Sequence, residues 1–158
     1  MPAYRVTLPT PSYRVIEFVQ EGRPGIAEGN VGLRGVEPRG VFAWHCSGML
    51  CFDGVTAEGM PTEAEAARAE ASEEALDAAV KGPLTAKPNA LSLARITWAG
   101  TRELIWRVCA PAPVAEMLEG RIARRAHPLR FDYRIDRDAE WALAAWHLRD
   151  HSPGPPPR

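Results

Sequence analysis

The chain has 158 residues, 46% of them hydrophobic and 25% charged, with a net charge of −1, which is the make-up of one globular domain. It carries no apolar leader core and no run long enough to span a bilayer, so the expectation is a cytoplasmic chain with no membrane association. Slight acidity argues against a dedicated nucleic-acid binder, and three cysteines (Cys46, Cys51, Cys109) cannot form a complete disulfide set, so reduced, mostly buried thiols are expected.

In chain order, "YRVTL" and "YRVIEFV" are short β-prone runs separated by the turn cluster "PTPS". "EGRPG" makes a second turn, and "IAEGNVGLRGVEPRG" reads as a Gly- and Pro-rich loop. Val41 to Phe52 reads as a strand, with Phe42, Trp44, Cys46, Leu50 and Phe52 on the core face and His45 outward. Pro61 then precedes "TEAE", the spacing of a capping box. Thr62 would accept from the Glu65 amide and Glu65 would reach back to the Thr62 amide. The helix runs to Lys81 and stops at Gly82-Pro83, burying Ala69, Leu76, Ala79 and Val80.

"LSLARITW" and "ELIWRVCA" flank "AGTR" and predict a hairpin. "PAPVAEMLEGRIARRAH" predicts a second helix, with Val114, Met117, Leu118 and Ile122 inside and Arg121, Arg124 and Arg125 outside. "LRFDYRID" alternates strictly, as a half-buried strand does. A last helix is expected from Asp138 to about Arg149, burying Trp141, Ala145 and Leu148, with 151–158 a disordered tail.

From Val41 the order is strand, helix, strand, strand, helix, strand. That predicts an α+β, ferredoxin-like βαββαβ sandwich over 41–136, an antiparallel sheet with two helices on one face. A β-rich entry (1–40) precedes it and the C-terminal helix (138–149) closes a single domain of 1–150. Residues 1–79 hold 6 Lys/Arg against 12 Asp/Glu, and 80–158 hold 13 against 8. An acidic first helix beside a basic second one would absorb that asymmetry.

Four segments, "GRPGIAEGN" (22–30), "EGMPTEAEAARAEASEEAL" (58–76), "ARITWAGTRELIWRV" (94–108) and "RFDYRIDRDAEW" (130–141), resemble a bacterial family, domain-of-unknown-function family 695. That family is similar in turn to the regulator of ribonuclease E activity B. The resemblance implies a ferredoxin-like fold, action by binding another protein, and no catalytic residues to carry over. The chain lacks an extended acidic region such as that regulator carries, so ribonuclease inhibition is not transferred.

No chemistry assembles from the residues themselves. His45, Cys46 and Cys51 lack the paired short spacings of zinc sites, and neighbours on a strand point to opposite faces. His45 and Cys51 share a face but lie about 20 Å apart on a regular strand, too far for a nucleophile–base pair with Asp53. Gly29, Gly32 and Gly35 are followed by no helix and form no phosphate cradle. His127, His147 and His151 define no constellation. No cofactor or metal is expected.

The expected function is therefore a non-enzymatic protein-interaction module: a regulator, inhibitor or immunity-type protein, with a homo-oligomer compatible with it. The acidic helix face at Glu70 and Glu73 is one candidate contact surface. An RNA-binding sheet face carrying Arg95, Arg107, Arg130 and Arg134 is the alternative, weakened by Asp132, Asp136 and the lack of an aromatic cluster for stacking. An unrecognised enzyme is the second alternative, which would require His45 beside a carboxylate and a thiol in a cleft.

Overall fold

A computed structural model of the protein describes residues 6–84, 86–125, 127–149 and 154–157. Two hairpins set the sheet. Strands β1 (Tyr13–Gln20) and β2 (Arg23–Asn30) meet at Glu21-Gly22, with φ of 52° and 73°; β4 (Ala90–Trp98) and β5 (Thr101–Val108) meet at Ala99-Gly100, with φ of 49° and 79°. Two successive positive φ values match the twist of the flanking strands, and glycine takes the second position. With β3 (Trp44–Cys51) and β6 (Phe131–Arg137), these strands form one open antiparallel sheet in the order β1-β2-β4-β5-β3-β6. The fold is α+β, with two helices, α1 (Glu63–Lys81) and α2 (Pro111–Ala123).

The sequence shows β2 only as a turn and loop, because it is built of small and bend-prone residues. The structure gives the reason. The Phe18 ring lies over Gly25, where a Cβ would come within 2.2 Å of it, and the His147 carbonyl would come within 2.8 Å of a Cβ at Gly29. These glycines permit close approach within a paired strand. Of the expected first strand, Tyr4 and Arg5 lie outside the described residues, and Thr7 makes an isolated bridge to Glu37.

Both helices pack on one face of the sheet. Ala69, Leu76 and Val80 of α1 and Val114 and Leu118 of α2 close over Cys46, Leu50, Leu104, Trp106 and Val108, forming the first core. The start of α1 is half of the expected box. Thr62 Oγ1 accepts from the Glu65 amide at 3.3 Å, but the Glu65 carboxylate turns away. It accepts the amides of Asp53 and Gly54 in the preceding loop and pairs with Arg68 at 2.8 Å. The Thr62 amide donates to Gly54 O instead. Donation from the Gly54 amide is the largest of the effects holding the Glu65 carboxyl below its ordinary range, with burial opposing and Asp53 and Arg68 assisting.

Glu65 thus ties the loop to the helix, and Gly59, at φ 87°, seats that loop against Ala99, with its carbonyl accepting from the Gly100 amide at 2.7 Å. Thr62→Ala is expected to cost about 1 kcal/mol of unfolding free energy through the lost cap. Glu65→Ala is expected to cost more than Thr62→Ala, because it strands two loop amides and Arg68. Urea unfolding of both variants checks this; the reverse ranking would show that the loop holds without Glu65.

The opposite face carries a second core. Ala27, Leu93, Ala94, Ile96 and Ile105 of the sheet are covered by Leu33, Val36 and Phe42 from the chain's first part and Trp141 and Ala144 from its last. Two expectations change here. Val41 and Phe42 belong to a 3-10 turn (Arg39–Phe42) and not to the strand, and Phe42 packs into this second core. The C-terminal helix is absent: the segment forms two 3-10 turns, Ala142–Ala144 and Trp146–Leu148. Trp141 adopts a left-handed φ of 59°, and the Asp138 carboxylate accepts the Ala142 and Leu143 amides, so the backbone turns before a helix can propagate. Trp141 is buried as expected, whereas Ala145 is exposed and Ala144 and His147 are buried in its place. Of the expected tail, 151–153 and 158 lie outside the described residues, and Pro156 is buried.

Candidate functional site

The six residues singled out from sequence do not share a surface. Arg95 points towards α1, bonding Glu28 through Nε and Glu73 through Nη1 at 3.1 Å. Glu73, expected on the outer helix face, is buried between Arg95 and Arg102. Glu70 is exposed, as is Arg130. Arg134 is exposed and paired with Asp136 at 2.7 Å. Arg107 is fully buried. The four arginines therefore form no common stacking or phosphate-binding face, and Arg107 cannot touch RNA.

What Arg107 does is structural. Its Nη1 donates to Asp138 Oδ2 at 2.9 Å and lies 3.2 Å from His45 Nδ1. Its Nη2 donates to the carbonyls of Phe42 (3.1 Å) and Asp138 (2.6 Å), while the guanidinium stacks over Trp141, 4.6 Å from the ring centroid. Burial lowers the arginine's pKa and the Asp138 carboxylate opposes the shift. His45, expected to face outward, is buried beside it, and His147 is brought close from the chain's last segment. Burial drives both imidazoles down to about 4. For His45 the Arg107 charge adds to the effect while Asp138 and Asp136 oppose it; for His147 the proximity of His45 adds. Both rings are neutral at pH 7, and the node ties β3 and β5 to the chain's closing segment.

The thiols stay apart from it. Cys46 lies in the first core, on the other face from His45, and burial pushes its thiol up to about 12. Cys51 is half-buried and Cys109 exposed, so the expectation of buried cysteines holds for Cys46 alone. Among the described residues no three His, Cys, Asp or Glu side chains converge to hold a metal ion.

A cleft of about 600 Å³ opens on the helix side, between α1 and strands β1, β2, β4 and β5 of the sheet. Its apolar lining comes from the side chains of Leu104, Trp106 and Tyr13, while Ala94 and Ile105, whose side chains belong to the second core, border it. Its charged lining is five carboxylates (Glu28, Glu70, Glu73, Glu74, Asp77) against Lys81 and Arg95. Most of these are consumed internally. Glu28 and Glu73 hold Arg95, and Asp77 accepts from Trp106 Nε1 (2.9 Å), Ser92 Oγ (2.9 Å) and Lys81 (2.9 Å). Burial alone would raise the Asp77 carboxyl, but those donors outweigh it and hold it below its ordinary range. Ser92 is placed for this by the bulge between Ser92 and Ala94.

Glu70 and Glu74, one turn apart on α1, are exposed and have no bonding partner among the described residues. Like charges at this spacing repel, so the pair leaves a negative lip on an apolar-floored cleft. The acids of α1 that are neutralised find their partners on the sheet and within α1, and among the described residues none of their ion pairs runs to α2 as the charge asymmetry had suggested.

Sequence reasoning singled out Glu70 but missed the cleft, because Tyr13, Glu28 and Trp106 come from strands far apart in the chain. Among the described residues no helix is long and apolar enough to cross a membrane. No family model, curated protein or solved structure matches the chain.

Proposed function

We propose that the protein is a non-catalytic protein-interaction module that takes a basic, extended segment of a partner into the cleft between α1 and strands β1, β2, β4 and β5 of the sheet. The observation that carries this reading is the unpaired Glu70–Glu74 lip above an apolar floor. Lys and Arg side chains suit such a place, laying their aliphatic stems on Leu104 and the aromatic walls while their charges meet the carboxylates. The order β4-β5-β3-β6, with α1 following β3 and α2 following β5, supports a ferredoxin-like core extended by the β1–β2 hairpin. The resemblance to domain-of-unknown-function family 695 points the same way, towards a regulator, inhibitor or immunity-type protein, and rests on its four segments alone.

The test is affinity capture from the host with the wild-type chain and with a Glu70→Lys/Glu74→Lys double variant, read by mass spectrometry. The expected result is a partner with a basic segment, lost from the variant at an unchanged melting temperature, with wild-type affinity falling as salt rises. Equal capture by both chains, or no partner together with turnover in a broad activity screen, would overturn the reading.

A further inference from the structure

The sheet ends in two edges that are treated differently. β6, at one end, alternates charges along its seven residues, with Asp132, Arg134, Asp136 and Arg137. That is how natural sheets discourage further strand pairing. β1, at the other end, is eight residues long, carries only Arg14 and Glu17, and has no Lys, Pro or bulge. The Nε and Nη1 of Arg14 are buried and the residue is half-buried, whereas Glu17 is exposed. Tyr13, Val15 and Val19, on the same side as Glu17, are 55%, 60% and 68% exposed. Among the described residues no strand pairs with the outer edge of β1.

We infer that this edge is the interface of a homodimer, in which β1 of two copies pair antiparallel about a twofold axis centred on Ile16 and the six-stranded sheet is doubled into one. The occupant follows from charge and register. Around a twofold axis normal to the sheet, helix-side residues meet helix-side residues, so a residue must lie at the centre. Centring on Glu17 sets two carboxylates face to face, and centring on Arg14 does the same with two guanidinium groups. Centring on Val15 carries Val19 past the end of the partner's strand. Centring on Ile16 sets Tyr13 opposite Val19 and Val15 opposite Glu17 on the helix side, and Arg14 opposite Phe18 on the other. No like charges then lie opposite, Tyr13 and Val19 cover one another twice, and each arginine meets an aromatic ring. The inference does not depend on the proposed partner, although Tyr13 belongs both to this edge and to the lining of the cleft.

Sedimentation velocity and light scattering across micromolar to millimolar concentrations test it. The wild type is expected to be a dimer, and Val15→Glu, which sets like charges against Glu17 of the second copy, and Val19→Lys, both at exposed sites, to be folded monomers with unchanged circular dichroism. Register is tested in a Cys51→Ser/Cys109→Ser background: mixing a Tyr13→Cys chain with a Val19→Cys chain is expected to give an oxidised heterodimer well in excess of either homodimer. A monomeric wild type, a dimer indifferent to both substitutions, or disulfides that form as readily without mixing would each overturn it.

Discussion

Arg107→Ala is expected to lower the unfolding free energy by about 3–5 kcal/mol, the scale for removing one partner from a buried ion pair. The arginine is fully buried, and its loss leaves the Asp138 side chain, the Phe42 carbonyl and the Trp141 ring without the group that joins them. Arg107→Met/Asp138→Asn should recover part of the loss, since it removes both charges and refills the space, so the two effects should be strongly non-additive. Arg134→Ala supplies the contrast. Its pair with Asp136 is short, at 2.7 Å, but the arginine side chain is 79% exposed, so the change should stay within about 0.5 kcal/mol. Urea midpoints of the four chains decide the matter. If Arg107→Ala fell as little as Arg134→Ala, the node would be ornament on a sheet that stands without it.

Acidification should act on the same node. In the folded chain His45 and His147 titrate near pH 4, whereas unfolded imidazoles titrate near the ordinary 6.5. Between those values the unfolded state binds more protons than the folded one, so stability is complete above pH 6.5 and is lost as pH falls towards 4. Each histidine is worth on the order of 3 kcal/mol over that window, a large fraction of the stability of a domain this size. The groups that set the shift for His45 are the surrounding burial, Arg107 and Arg134 on one side and Asp138 and Asp136 on the other; for His147 they are burial and His45. Asp138 and Asp77, both held below the carboxylate range, add their own losses only at lower pH. Denaturant midpoints at pH 7, 6 and 4.5 should fall steeply, and His45→Gln and His147→Gln should each flatten the slope. A wild-type midpoint unchanged from pH 7 to 4.5 would mean the rings are not held as buried neutral groups.

Elements whose signal is local were legible in the sequence. The Thr62 cap and the alanine content fix α1, the Ala99-Gly100 pair fixes the β4–β5 hairpin, and strict alternation fixes β6. Elements whose signal is a partner elsewhere were not. Gly25 and Gly29 look like turn residues until Phe18 and His147 are seen against them. Arg107 sits in a strand where alternation assigns it to solvent, and its ligands come from positions 31 to 65 residues away in the chain. The Asp138–Arg149 segment has helical composition, yet Asp138 is committed to Arg107 and to its own turn. Three of the residues read from sequence, Glu70, Glu73 and Arg95, line the candidate site, and of these Glu70 alone keeps its charge exposed. Its neighbour Glu73 carries the same charge at almost the same place in sequence, and only the position of Arg95 and Arg102 makes one a core ion-pair member and the other a surface group.

The second core has a temporal consequence. It is closed by the chain's last segment folding over its first: Trp141 Nε1 donates to Arg39 O at 3.0 Å across 102 positions, and Arg34 Nε donates to Leu148 O across 114. A ribosome releases the N-terminal side of that contact long before the C-terminal side. Until Trp141 is made, the sheet can grow strand by strand, with α1 and α2 in place, while Ile96, Ile105 and Leu33 wait for it. Closure of so distant a loop comes late and sets the pace of folding. Until residues 141–148 emerge, the nascent chain presents one finished face and one sticky face, and that interval is when a chaperone has something to hold.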